Sequence, residues 1–580
     1  MIYIGDDVLR VTRFVLIWAC MCLIGVPVWA QDQQPIPTLI PPTLVPSASS
    51  PSNDGVYGDA AIGRIIESGR VRIGILWNEP PFSSFNVKGE VDGLNVGLGR
   101  ALATAWGVEA EFIQVTRQND LDYLMSGQID LLLSDLALTR TSEGVVDFSS
   151  PFYYNRLIGL TRTADPIVEG SGLANRRLGV VVGSDSEAQL QTWLPMQSFT
   201  ASVNTYFTLD QAVSALLLNE VDAVIDREHN LERFILTDQT RLMEQPLTVL
   251  PMSVIVRRQD INTRLLVNQT LQYLFVQGEI AKLYSTYLNG RSVPDDLILV
   301  WTGLPEQSPT PLGFGIGMDF PNEYPVQQIG TRPLRVAISV DTEQNEVSRR
   351  LSQSHQALAQ SLATRLGVAL EVISVDPSDL VGVVERQEAD FALGVVPDWS
   401  LASRVELSVP YLLHGKRLLT TFRDDFQSFA DLRGQWVGVF ASEANAAQLA
   451  QELGQSVNAT INVFTITREE DAAFEMLQER NIDAIFGDSL RLLPILEAFP
   501  NDLKLSMRCS SCDPWYTREY YSIALRRNDV DLRRAVDYAL QDMSRDGSLT
   551  SILATVYVPG EEMRIITTPG NIQPADLIVR

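Results

Sequence analysis

A chain of 580 residues is several times the size of one domain, and at roughly 150 residues each it should hold about four compact units. Its 71 Asp and Glu against 45 Lys and Arg give a net charge of -26, a surface that repels phosphate backbones, and no basic cluster interrupts it, so nucleic acid is excluded as a partner. An apolar fraction of 45% with 20% charged residues is that of a folded globular protein and not a disordered one.

Arg10 and Arg13 precede the apolar run "FVLIWACMCLIGVPVWA" at 14–30, which ends in Val-Trp-Ala before "QDQQP". Residues 1–30 therefore read as an export signal cleaved before Gln31, with an uncleaved N-terminal anchor as the alternative, the one route by which the chain would touch a membrane. Trp18 stands where a lipobox needs a small residue before Cys20, which argues against lipid attachment. Residues 31–58 are Pro- and Ser-rich without helical or strand period and form an extended tether.

From 59 to 290 short β-branched runs alternate with helical stretches. The predicted strands include "VRIGIL", "EAEFIQV", "IDLLLS", "RLGVVVG" and "VDAVID", and the helices "VGLGRALATAW" and "LDQAVSALLLN". That alternation implies an α/β fold with largely parallel sheets covered by helices, and about 230 residues is enough for two lobes. The loop after "IDLLL", from Ser134 to Thr139, sits at a strand's carboxyl end, where open α/β sheets bind ligands. Residues 291–331 form a Pro/Gly-rich linker whose "GFGIG" does not lie between a strand and a helix, so a dinucleotide site is not expected.

Residues 332–558 repeat the pattern, leaving 559–580 as a C-terminal tail. "ALATAWGVEAEFIQV" at 101–115 shares eight of fifteen positions with "SLATRLGVALEVISV" at 361–375; "VDFSSPF" at 146 is echoed by "VELSVPY" at 405, and "VDAVID" at 221 by "IDAIFGD" at 482. The repeat unit is a whole domain. Cys509 and Cys512, the two cysteines left after signal cleavage, most simply form a local disulfide in an exported chain. His229, His355 and His414 are scattered, so neither a metal nor a cofactor is expected.

"VRIGILWNEPPFSSFNVKGEVDGLNVGLGRALATAWG", "SGQIDLLLSDLALT", "VDFSSPFYYNRLIGL", "LGVVVGSDSEAQL" and "NEVDAVIDREHNL", in that order, resemble the periplasmic solute-binding proteins of family 3, the extracytoplasmic receptors of amino-acid-type ABC importers. The resemblance covers about 62–290 well and about 333–557 more weakly. It implies two tandem type II periplasmic-binding (Venus-flytrap) domains, each of two α/β lobes joined by a double crossing, with 153–162 and 247–258 as the crossings of copy one. It implies a small-molecule ligand held by Asn78, Glu79, Phe82, Ser134, Asp135, Thr139, Arg140, Ser184, Asp185, Asp226 and Arg227, and in copy two by Asp398, Trp399, Ser442, Glu443 and Asp488.

The departures from the family pattern matter as much. The arginine that clamps an amino acid's carboxylate is replaced by Ser142, and in copy two by Leu401, with Arg140 and Arg227 as possible substitutes. Glu79, Asp135, Asp185 and Asp226 would make an acid-lined pocket that favours a cationic solute. The expected function is capture of an amino acid or amine-like solute outside the cytoplasm for a membrane permease. A ligand-sensing ectodomain acting in trans is one alternative, and an enzyme on the same scaffold, such as a dehydratase using Glu79, is another; a non-enzyme is expected.

Overall fold

The computed structural model describes residues 60–134, 140–236, 238–294, 296–318, 332–339, 346–424, 426–443, 445–507, 514–558, 563 and 565. The apolar run at 14–30 and the Cys509–Cys512 pair lie outside them, and no described helix is long and apolar enough to cross a membrane.

In copy one the alternation produces one nine-stranded sheet. Along its main path the order is Glu109–Gln114, Arg70–Ile75, Leu131–Leu133, Thr248–Arg257, Val146–Arg162, Ala223–Arg227, Arg177–Val181 and Ser202–Tyr206. The first three strands are parallel, as are the last three, while the two between them run antiparallel to each other and to their neighbours. Leu131–Leu133 is buried throughout, as expected of a parallel strand covered on both faces. Helix Leu94–Trp106 is stopped by Gly107, whose φ of 70° lets its N–H bond back to the Ala103 and Thr104 carbonyls.

The two middle strands are the crossings. Val146–Arg162 pairs with Thr248–Arg257 over 146–157 and with Ala223–Arg227 over 157–161, so a single strand of roughly 55 Å belongs to both lobes. Pro151, which has no N–H to give a ladder, falls where the register shifts near Ser253. Each lobe has its own core: Ile73, Leu102 and Leu133 anchor the first, and Leu178, Leu216 and Val224 the second. Separate cores on a shared strand are what a hinge requires.

Copy two repeats this plan with its crossing broken. The single strand becomes Val405–Leu407, Leu412–His414 and Lys416–Thr421, and the sheet divides into one of six strands and one of five. The breaks coincide with Pro410 and with Gly415, whose φ of 145° and close approach to the Thr517 carbonyl leave no room for a side chain.

The two first lobes dock on each other with an approximate twofold relation that the repeat makes visible. Asp260 and Asp529 cap the equivalent helices Ile261–Val276 and Val530–Arg545. From those helices Arg264 reaches across to both Glu406 oxygens at 2.6 Å, and Arg533 reaches back to Asp147 at 2.9 and 3.2 Å. Arg264 Nε also lies 3.0 Å from Asp147, which gives one buried carboxylate two guanidinium partners from different copies. The linker is part of this body: Leu297 and Ile298 enter the copy-one core, and Trp301 packs on Trp399 with ring centroids 4.6 Å apart.

Candidate ligand cleft

Between the lobes of copy one lies a cavity of about 870 Å3, walled by Pro80, Pro81, Arg117 and Tyr287 from the first lobe and by Ser184, Asp185, Asp226, Arg227 and His229 from the second. Ser184 caps helix Asp185–Trp193, accepting from Glu187 N at 3.1 Å and donating to the Val181 carbonyl at 2.7 Å. This sets Asp185 at the cleft edge with its side chain 49% exposed. Two guanidinium groups converge on that carboxylate: Arg227 at 2.7 Å from the same lobe and Arg117 at 3.3 Å from the opposite one. Arg117 also meets Glu79 at 3.2 Å, so a chain of alternating charges crosses from lobe to lobe.

Asp226 lines the cavity with its carboxylate engaged by its own lobe, accepting from Ser186 Oγ at 2.8 Å, Arg227 N at 2.6 Å and Asn230 Nδ2 at 3.2 Å. Glu232, also on the wall, accepts from Arg291 Nε at 2.6 Å. Among the described residues Glu79, Asp185 and Glu232 are thus paired with arginines and Asp226 with donors of its own lobe, so in place of bare acids the wall shows arginines and acids alternating. Phe82 is fully buried and holds His229 edge-on at 5.1 Å, so it forms the floor behind the cleft and not its surface. Ser134 is buried at the end of its strand, Asn78 is exposed, and Asp135 and Thr139 lie outside the described residues.

Arg140 is a correction. Its guanidinium is carried away from the cleft, pairs with Asp542 of copy two at 2.9 Å and stacks over the Tyr538 ring at 4.8 Å, so it cannot stand in for the missing clamp. Arg117 and His229 are the residues that sequence reasoning missed. Arg117 follows strand Glu109–Gln114, and the rule that ligands sit beyond strand carboxyl ends would have found it.

In copy two Asp398 and Trp399 are corrections of the same kind. Asp398 accepts from Thr302 Oγ1 of the linker at 2.7 Å, and Trp399 Nε1 donates to Gln272 of copy one at 2.8 Å; both serve the contact between copies. Ser442 is exposed. Glu443 and Asp488 do meet, in a cluster closed on itself: Lys416 lies 2.5 Å from Glu443, Asp488 N donates to Glu443 at 2.9 Å, and His414 Nδ1 lies 2.9 Å from Asp488. Burial opposes charge on His414, but ionised Asp488 outweighs it and raises the imidazole above its ordinary value. The register that should hold a ligand amine is thus occupied by the protein's own cations. His414, Asp488 and Glu519, with Glu519 paired to His414 across one ladder and Asp488 paired to Lys416 across another, also place donor atoms within 4.8 Å of one another, a set of the type that binds divalent metals.

Residues 71–290 and 354–557 match the bacterial extracellular solute-binding proteins, family 3. The chain belongs to this family. It is 22% identical over 250 residues to a probable histidine-binding protein of Neisseria gonorrhoeae, a match spanning 42% of this chain and 92% of that one. It is 26% identical over 170 residues to the L-arginine-binding protein of Pseudomonas aeruginosa, spanning 29% of this chain and 65% of the relative. Among solved structures it is similar to the B. pertussis BvgS periplasmic domain at 21% identity, covering 86% of this chain and 93% of that one with a TM-score of 0.34.

Proposed function

We propose that copy one captures an amino acid in its interlobe cleft, outside the cytoplasm, and presents it unchanged to a membrane permease. The observation that carries this reading is the convergence of Arg117 and Arg227, from opposite lobes, on the exposed Asp185 carboxylate. A ligand carboxylate that takes the place of Asp185 would satisfy both guanidinium groups and tie the lobes together, and the released acid would be available for the ligand amine. Relatives named for histidine and arginine binding favour the same class of solute. Glu79, engaged by Arg117 and not isolated in an apolar pocket, is poorly placed as a general acid, which favours binding over turnover.

Calorimetric titration with arginine, glutamine, glutamate and spermidine tests the class. At least one amino acid should bind more tightly than spermidine, which offers amines without a carboxylate. Arg227→Ala should weaken that binding roughly 10- to 150-fold, the worth of about 1.5 to 3 kcal/mol for a lost charge-assisted bond. Tighter binding of spermidine than of every amino acid, or an unaffected Arg227→Ala variant, would sink this reading.

Sensing in trans is the second reading, favoured by the docked first lobes: closure of copy one moves its second lobe against a body that includes copy two. Solute uptake by cells lacking the protein separates the two, since import requires that uptake falls and sensing leaves it unchanged.

A further inference from the structure

A second cavity, of about 510 Å3, lies where the two first lobes meet. Its walls include equivalent segments of the repeat, Phe148–Pro151 from copy one and Leu407–Pro410 from copy two, together with Leu299 and Trp301 of the linker, Trp515, and Met563 and Ile565 near the C-terminus. The equivalence extends to the hydrogen bonds behind the walls: Ser150 N donates to Asn268 Oδ1 at 2.7 Å and Val409 N to Asp537 Oδ1 at 2.8 Å. A protein–protein contact normally closes to the density of an interior, and a gap of this size forfeits the dispersion contacts of every side chain around it. Apolar cavities of only about 150 Å3 already take up benzene, and sites for small molecules run from roughly 300 to 1,000 Å3 with mostly apolar walls and few polar groups.

The charges on the walls decide what such a site would take. Arg264 and Arg533 are neutralised by Asp147 and Glu406, and Asp296 and Arg518 are of opposite sign; the remaining wall acids, Glu143 beside the Tyr538 hydroxyl and Asp537 accepting from Val409 N, are both pushed up by burial, Asp537 to about 7, so below that pH an ionic ligand meets no excess of counter-charge. Asn268 spends its side-chain oxygen on Ser150, which leaves its amide N–H groups as the donor side. We infer that this cavity is a second ligand site, separate from the interlobe cleft, for an uncharged aromatic molecule bearing one hydrogen-bond acceptor. Such a ligand would touch both copies at the roots of their crossing strands and so favour the docked arrangement.

Benzamide is the probe, set against benzoate and benzylamine, which share its ring and carry a charge. Saturation-transfer NMR and calorimetry on the full chain at about pH 6, where Asp537 is largely protonated, should show benzamide binding, with the two ions at least tenfold weaker. Binding should persist in Arg227→Ala and disappear in Leu299→Trp and in Leu413→Trp, which fill the cavity from the linker and from copy two; melting followed by circular dichroism confirms that each variant is folded. In the unsubstituted protein, benzamide and the amino acid of the cleft should bind together. The inference is overturned if benzamide does not bind at millimolar concentration, if it binds no better than the ions, if it survives in the folded tryptophan variants, or if it excludes the amino acid.

Discussion

Replacing Asp147 with alanine is expected to destabilise the protein by about 3–5 kcal/mol, the cost of removing one partner from a buried ionic group. Asp147 stands at the start of the crossing strand and is buried among Arg264 of its own copy and Arg533 and Arg534 of the other. Burial alone would push its carboxyl up, but the three guanidinium groups outweigh burial and hold it well below the ordinary aspartate value of 3.8. Without it those cations face one another with Glu406 and Asp537 as the remaining acids in ion-pair range. Because the folded value lies below the unfolded one, the stabilisation is present above about pH 4 and lost as pH falls through the folded value. Urea midpoints measured from pH 7 to pH 3 check this: the wild type should lose stability toward the acid end more steeply than Asp147→Ala. A variant within about 1 kcal/mol of wild type at pH 7 would show that the ion cluster does not hold the copies together.

Asp537→Asn should act in the opposite direction and stabilise the protein at alkaline pH. Asp537 is fully buried on helix Val530–Arg545, and desolvation pushes its carboxyl up to about 7 although Arg533 lies 3.3 Å away. Here the folded value exceeds the unfolded 3.8, so the contribution is full below about pH 4 and is lost as pH rises through about 7. At pH 8 the wild type carries a buried, poorly compensated carboxylate. The equivalent position in copy one is Asn268, which makes the same bond to a backbone N–H without a charge. At about 1.4 kcal/mol per pKa unit the variant should gain about 2–4 kcal/mol at pH 8 and little at pH 4. The comparison of denaturant midpoints at those two pH values is decisive, because an equal gap at both would place the titration elsewhere.

These two acids mark the boundary of what was legible in the sequence. The strands, the lobes, the crossings and the duplication all leave local traces, because buried runs such as "IDLLL" and "RLGVVV" must recur wherever the same sheet is built twice. Ser184, Asp185, Asp226 and Arg227, which the family resemblance assigned to a ligand site, do line the cleft, at or just beyond the carboxyl ends of strands Arg177–Val181 and Ala223–Arg227. Arg140, Asp398 and Trp399 were misassigned for one reason: each is drawn to the partner copy, and a contact between domains imposes no period on the chain. The pairing of acids with arginines was hidden for a related reason, since Arg117 and Asp185 are distant in sequence and meet only when two lobes face each other.

The unequal crossings make the two halves mechanically different. A ribbon hydrogen-bonded from Val146 to Arg162 resists torsion along its whole length, so parting the lobes of copy one twists many residues slightly and generates a restoring torque. In copy two the same rotation would concentrate at the interruptions around Pro410 and Gly415, where isolated backbone bonds, Tyr411 N to the Tyr521 carbonyl and Ser489 N to the Gly415 carbonyl, stand in place of one continuous strand. Copy one is built to resist parting as a leaf spring does, whereas copy two is built to turn at its joints against a weaker restoring force.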